Sequence, residues 1–389
     1  MKMLRRALVA LGIAGAIAAV LRVRGSGGRH PRTGAGASWS TGTSPDRTPD
    51  LSRSSMTTVA VLGVGAVGAR VARQLLSTEG VDEVALRDER GPRLETIARS
   101  LGEGAVIDLA PFAEPIDADV VVLAGPPGDH GTLAKRAVAR GQSVVSTSDA
   151  IGDVRALVDL DPEARERGLS VVVGAGFGPG LTCVLAARAA AGFDSVDEVH
   201  VAKVGTGGPA CARQHHQALG GMALDWRDGG WVHRPSGSGR ELCWFPDPVG
   251  AEDCYRAALP DALLLVPAFP GVQRVTARLA ATRRDRLTAR LPMLRPPHPE
   301  GGPGAVRVEV RGRRGGSRDV TVLGSMDRPA VAAGAVAALA ALWAAQGRTI
   351  RPGAAGLAEL VDPVAFLGEL RRRGVRSAVF QRNAGGGEA

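Results

Sequence analysis

Four short apolar runs set the rhythm of the first half of the chain. They are Val59–Leu62, Ala118–Ala124 (A-D-V-V-V-L-A), Ser143–Ser146 and Leu169–Val173. None alternates with polar residues, which is the pattern of strands buried on both faces in a parallel sheet. Between them lie stretches of helical period, about Ala66–Leu76, Thr132–Arg140 and Asp161–Arg167, and Glu83–Arg87 reads as a further strand. After Leu181–Ala191, a further helix, the pattern changes. Val196–Gly205 alternates, as does Val306–Arg311, where three valines face one way and charges the other. Leu242–Phe245, Gln273–Ala280, Leu287–Leu291 and Asp319–Leu323 are further strand candidates, with a hairpin at Asp225–Trp231 and a loop from Arg311 to Ser317. The pattern predicts an α/β Rossmann domain with a mainly parallel, doubly wound sheet, followed by an α+β domain with an open antiparallel sheet.

Asp327-Arg328-Pro329 then starts a helix, and Ala330–Ala345 follows without a charge. At sixteen residues it is short for a membrane span and suits a core helix returning to the first domain. A last helix is predicted over Val364–Arg372. The expected boundaries are 56–180 for the Rossmann domain, completed by 325–380, and 181–324 for the substrate and dimerisation domain.

The front end is of another kind. Residues 1–55 hold a fifteen-residue uncharged run, Ala7–Leu21, and then a Gly/Ser/Thr/Pro/Arg-rich stretch to Ser55 with the composition of a disordered segment. Ala16-Ile17-Ala18 lies inside the apolar run, unlike a signal-peptidase site, and the run falls short of the roughly 20 residues of a spanning helix. Met56 stands three residues before the first strand. The expectation is that the protein starts at Met56 and is cytoplasmic, the alternative being a membrane anchor through 7–21. Intact mass from the native host would separate the two.

Charge supports a body of low net charge. The chain carries +9, but nine basic and two acidic residues fall in 1–55, leaving +2 for the rest. That excludes a dense basic groove for nucleic acid. The 45 arginines against three lysines follow from a GC-rich coding bias. The four cysteines (183, 211, 243, 254) lack zinc spacing, so reduced thiols and no metal are expected.

The most specific chemistry follows the first strand. Gly63, Gly65 and Gly68 have G-x-G-x-x-G spacing between a buried strand and a helix. The first glycine makes the tight turn, the second admits a pyrophosphate and the third lets helix and strand pack. Asp88 stands twenty residues past Gly68, where a carboxylate accepts hydrogen bonds from an adenosine ribose. The cofactor-binding candidates are Gly63, Gly65, Ala66, Val67, Gly68, Asp88, Arg90, Ala124, Gly125, Pro126, Ser146 and Gly178. The cofactor is NAD or NADP. Asp88 and Glu89 repel a 2′-phosphate and Arg87, Arg90 and Arg93 attract one, and the reading inclines to NAD. His130 opens a helix at the sheet's ligand-binding edge, as a functional group or a structural one. A second glycine turn, Gly174–Gly180, either holds nicotinamide or a substrate carboxylate, or is a tight crossover.

These segments, V-L-G-V-G-A-V-G (61–68), A-D-V-V-V-L-A-G-P-P (118–127), V-V-G-A-G-F-G-P-G-L (172–181) and V-E-V-R-G (308–312), resemble the saccharopine dehydrogenase-like family. More broadly they are similar to two-domain NAD(P)-dependent enzymes such as homoserine dehydrogenases. The resemblance implies a cofactor cleft between domains and a homodimer through the second sheet, and no particular substrate.

Hydride transfer at a carbonyl or imine needs a proton donor or acceptor beside the heteroatom. Lys203, the one lysine of the second domain, and His215 and His216 are the catalytic candidates. The two histidines point about 100° apart on a helix, so one of them faces the cleft. Lys203 is expected either to titrate near neutrality, if desolvated, or to form a salt bridge. Arg213 and Arg240 are candidates to clamp a substrate carboxylate, with Asp225 beside them. The function expected is an NAD(P)-dependent oxidoreductase acting on a small polar carbonyl, imine or amino-acid-like substrate. The alternative is a non-catalytic NAD(P)-binding redox sensor or scaffold. Convergence of Lys203, a histidine and an arginine at the cleft favours the enzyme.

Overall fold

The computed structural model describes residues 57–81, 83–293 and 296–380. The apolar run 7–21 and Met56 lie outside them. The first sheet has seven strands in the order β15-β6-β5-β4-β1-β2-β3. They are β1 (Val59–Leu62), β2 (Val84–Arg87), β3 (Ala105–Asp108), β4 (Val120–Leu123), β5 (Ser143–Ser146), β6 (Ser170–Val172) and β15 (Gly353–Ala355). Every pairing is parallel. The order reverses at β1 and β4, and there the carboxyl ends of two neighbouring strands open a crevice for a ligand. β1, β2, β4 and β5 are buried along their whole length. The apolar runs of β1 (VAVL) and β4 (VVVL), with no polar alternation, follow from having helices on both faces.

The second sheet has nine strands: β7 (Ser195–Val204), β8 (Met222–Arg227), β9 (Gly230–Pro235), β10 (Glu241–Trp244), β11 (Ala251–Arg256), β12 (Arg274–Ala280), β13 (Gly304–Arg314), β14 (Ser317–Asp327) and β16 (Ser377–Val379). Its spine runs β10-β11-β12-β7-β13-β14-β16, with the β8–β9 hairpin pairing onto β12. It is open as expected, but not wholly antiparallel. β7 and β12 pair in parallel, because the intervening strands and the helix Asp261–Leu265 supply a long crossover. β16 joins this sheet, so the C-terminal return is divided: β15 completes the first sheet and β16 the second.

Two expectations need correction. Leu287–Leu291 is not a strand. Thr282 and Asp285 form a capping box that starts the helix Arg283–Thr288, and Leu287 and Leu291 are exposed. The loop at Arg311–Ser317 is also shorter than expected. β13 and β14 stay paired to Arg314 and Ser317, leaving a two-residue turn of Gly315 and Gly316, both at positive φ.

One core serves both sheets. The inward valines of β13 (Val306, Val308, Val310) and of β7 (Val199, Val201) pack in the same cluster as β1, β4 and β5. The helix Leu181–Ala190 lies between them, buried at seven of its ten positions, and packs on β13 and β14 and on the helices Leu357–Leu360 and Pro363–Arg372. The uncharged helix Pro329–Ala345 is a core helix, as its composition implied. It packs on the helix Gly68–Leu76 and on β4 and β5. No helix among the described residues is long and apolar enough to cross a membrane.

Candidate active site cleft

A cleft of about 310 Å³ opens where the β1 and β4 carboxyl ends meet the second sheet. The first glycine turn forms one wall. A side chain at Gly63 (φ +95°) would collide with the Gly125 backbone, and one at Gly68 would sit 1.9 Å from the Gly63 carbonyl. These two glycines bind turn to strand and helix to turn. Gly65 differs: a Cβ there would meet nothing within 4 Å. The space over Gly65 is the room a pyrophosphate needs, so the turn fits a dinucleotide. Asp88 Oδ2 accepts from the Val64 N–H at 2.8 Å and Oδ1 from the Arg90 N–H at 3.0 Å, which ties the carboxylate to the turn.

The neighbouring arginines divide. Arg87 is not available to a phosphate. It is 1% exposed, paired with Asp108 and bonded to the carbonyls of Pro111, Glu114 and Pro115. Arg90 is exposed and Arg93 donates to the Val64 carbonyl at 3.1 Å, and both line the cleft.

The opposite wall comes from the end of β7 and the glycine-rich turn after it. Gly208, at φ +131°, lies so close to the first turn that a side chain there would meet Ala66 Cβ at 2.7 Å. The helix Pro209–Gly220 then starts at the cleft. Lys203, 2% exposed, donates to the Gly178 carbonyl at 2.6 Å and to Asp149 Oδ2 at 3.2 Å. His215 Nε2 meets the same carboxylate oxygen at 3.1 Å and the Cys211 sulfur at 3.6 Å. Four ionisable groups from three elements therefore converge. The Asp149, Cys211 and His215 donor atoms lie within 4.8 Å of one another.

Burial and charge oppose each other at each of these groups. Burial raises the Asp149 pKa, but the cations Lys203 and His215 outweigh it and hold the carboxyl well below its usual range. Burial disfavours the Lys203 ammonium, yet the Asp149 and Asp261 carboxylates win and its pKa rises. Lys203 is thus a salt-bridged cation, not an amine titrating near neutrality. His215 resists burial in the same way: Cys211 and Asp149 push its pKa up to about 9.

Of the sequence candidates, Gly63, Gly65, Ala66, Val67, Asp88, Arg90, Ala124, Gly125, Pro126, Gly178, Lys203, Arg213 and His215 line this cleft. Gly68 packs behind it. Ser146 is fully buried and bonds His130 Nδ1 at 2.8 Å, and His130 Nε2 lies 3.2 Å from the Gly125 carbonyl. His130 is thus a buried strap between β4 and β5, kept neutral by burial. His216 faces away, to the Leu291 carbonyl at 2.9 Å. Asp225 on β8 pairs with Arg256 on β11, and Arg240 pairs with Asp253 at the surface. Sequence reasoning assigned no role to Asp149 or Cys211. Asp149 was visible as a polar tip after β5, and Cys211 as lying one turn before His215. In the second glycine turn, Gly176 N and Leu181 N bond to the Pro179 and Gly176 carbonyls, the Gly178 carbonyl accepts from Lys203, and Gly176, Phe177 and Gly178 line the cleft.

Residues 58–150 match the family described as NADP oxidoreductase, coenzyme F420-dependent. No curated protein matches the chain in sequence. Among solved structures, the chain is similar to apo saccharopine dehydrogenase (L-Glu forming) from Saccharomyces cerevisiae. The TM-score is 0.60 at 16% identity, over 84% of this chain and 100% of that one. GenD2 from gentamicin A biosynthesis, in complex with NAD, matches at a TM-score of 0.43 and 16% identity, over 88% and 100% of the two chains. DAP dehydrogenase of C. glutamicum in complex with DAP matches at 0.43 and 17%, over 80% and 95%. At 16% identity the likeness to saccharopine dehydrogenase is one of fold, a parallel Rossmann-type sheet joined to a second mixed sheet, and the family match places an NADP oxidoreductase domain at residues 58–150.

Proposed function

We propose that the protein is an NAD(P)-dependent dehydrogenase or reductase acting on a small polar substrate with a carbonyl or imine. The observation that carries this reading is the convergence of Lys203, His215 and Arg213 in the cleft that the dinucleotide turn opens. A bound nicotinamide would supply or accept the hydride. The chain's residues do the rest. Lys203 Nζ and His215 Nε2 share the Asp149 carboxylate, so each N–H is oriented and one proton can be given to a substrate oxygen or nitrogen while the other cation stays paired. Arg213 supplies a fork for a substrate carboxylate. Phe112, Phe177 and Pro126 exclude water from the walls.

NAD is the preferred cofactor in this reading. Asp88 and Glu89 put two carboxylates at the adenosine end, and Arg87 is sequestered. A 2′-phosphate would meet the carboxylates first.

The test is a screen of aldehydes, 2-oxo acids and amino acids that follows NADH and NADPH absorbance. A hit should lose about 10²- to 10⁴-fold in kcat in Lys203→Met, with NADH affinity retained. A hit whose kcat is untouched by that substitution removes Lys203 from the chemistry. NADH should bind at least about tenfold tighter than NADPH, and Asp88→Ser should narrow the gap. Equal affinities would end the NAD assignment.

A further inference from the structure

We propose that Cys211 is a covalent-modification site, a cleft thiolate that hydroperoxides oxidise and alkylating electrophiles capture. The first support is contact. His215 Nε2, which shares Asp149 Oδ2 with the Lys203 ammonium, lies 3.6 Å from the Cys211 sulfur, so an imidazolium N–H can be donated to a thiolate there. The second is position. Cys211 is the third residue of the helix Pro209–Gly220, in the first turn, where backbone N–H groups and the dipole favour a negative sulfur. The third is access. Cys211 lines the cavity, whereas Cys183, Cys243 and Cys254 are buried in the two layers.

The groups facing the sulfur are His215 on its own helix, Lys203 on β7 and Asp149 after β5. Burial works against the thiolate, and so does Asp149. His215 and Lys203 outweigh them and lower the thiol's pKa. Cys183, with no such neighbours, is pushed up to about 12 by burial and Asp261. The same geometry disfavours a cation at the Asp149–Cys211–His215 donors, because the Lys203 ammonium already sits on the carboxylate oxygen that a metal would use.

Oxidation would proceed by attack of the sulfur on the terminal oxygen of a hydroperoxide. The S–O bond forms, the O–O bond breaks, sulfur is oxidised to the sulfenic acid, and the departing alkoxide takes the proton from His215 Nε2 to leave as the alcohol. The other three thiols are enclosed in the core, so the sulfenic acid persists until an external thiol reduces it. Its added oxygen occupies the substrate end of the cleft beside Lys203. The switch therefore acts on substrate entry and leaves the adenosine end open.

The full chain without cofactor serves for the test. Iodoacetamide labelling is followed by peptide mass mapping from pH 5 to 10, and hydrogen peroxide is applied with a sulfenic-acid trap. Cys211 alone should label, half-maximally below the ordinary thiol value of about 8.5. His215→Asn should shift that midpoint upward and slow labelling at neutral pH by about tenfold. The trap should appear on Cys211 and nowhere else. The wild-type profile stands by itself if the variant does not fold. A midpoint at or above the ordinary value, labelling of a different cysteine first, or binding of one Co²⁺ per chain that blocks labelling would each overturn the proposal. None of these readings depends on turnover, so they separate this proposal from the enzymatic one.

Discussion

His215 is nearly enclosed yet holds its proton, and that has a pH signature. Its folded pKa, about 9, lies above the ordinary 6.5. The imidazolium, held first by Cys211 and then by Asp149, therefore contributes stability that is fully present below pH about 6.5 and is lost as pH rises through about 9. Thermal melts between pH 6 and 10 should show Tm falling across that window, and His215→Asn should flatten the fall. A slope identical in wild type and variant would show that the imidazolium contributes nothing. At this scale the sequence was informative where residue type was rare: a single lysine in the second domain, and one histidine of an adjacent pair. Asp149 escaped assignment because its role rests on cations 54 and 66 positions away, which no local pattern relates to it. Asp225 and Arg240 have the right chemistry for a substrate clamp, but their partners, Arg256 and Asp253, are neighbours within the second sheet.

Among the elements, the strand–turn–helix at Val59–Leu76 was legible because three constraints coincide there: a doubly buried strand, glycine at three spaced positions and an amphipathic helix. The glycines can be told apart experimentally. Gly68→Ala puts a methyl against the Gly63 carbonyl and must push the helix off β1, costing about 1–3 kcal/mol and weakening dinucleotide binding with it. Gly65→Ala meets no protein atom, so stability should stay within about 0.5 kcal/mol of wild type while NADH affinity falls at least about tenfold. Calorimetry alongside NADH fluorescence titration reads both. If Gly65→Ala binds NADH normally, the pyrophosphate does not lie over Gly65. Short polar elements were less legible. Arg283–Thr288 is set by a two-residue capping box, and exposed Leu287 within it and Leu291 just beyond it mimic a strand. β3 at the sheet edge is half exposed, so its pattern lacks the unbroken burial that marked its neighbours.

For the molecule as a whole, the sequence suggests two domains and the structure has two sheets, but the apolar interior does not respect that division. Val199, Val201 and the β13 valines share a cluster with β1 and β4, and the helix Leu181–Ala190 belongs to both layers. The chain also crosses back: the helix Pro329–Ala345 and β15 complete the first layer only after β14 is made. Burying one such valine or leucine is worth about 1.5–3 kcal/mol, so exposing the face that one layer turns to the other would cost many such contributions at once. Neither layer should survive loss of the other. Trp343, stacked edge-on against Phe366 beside the first layer, and Trp226, packed on Trp231 in the second, provide separate reporters. In variants retaining one or the other tryptophan, urea unfolding should give the same midpoint and a single transition, coincident with far-UV circular dichroism. Midpoints that separate, with Trp226 released first, would mean that the second sheet unfolds alone. The cleft would then lie between two bodies free to part, and closure of its wall at Gly208 on Ala66 would become a motion to be driven by ligand. Coincident midpoints would mean that the wall is built with the core, and that substrate meets Lys203 and His215 in a cleft already formed.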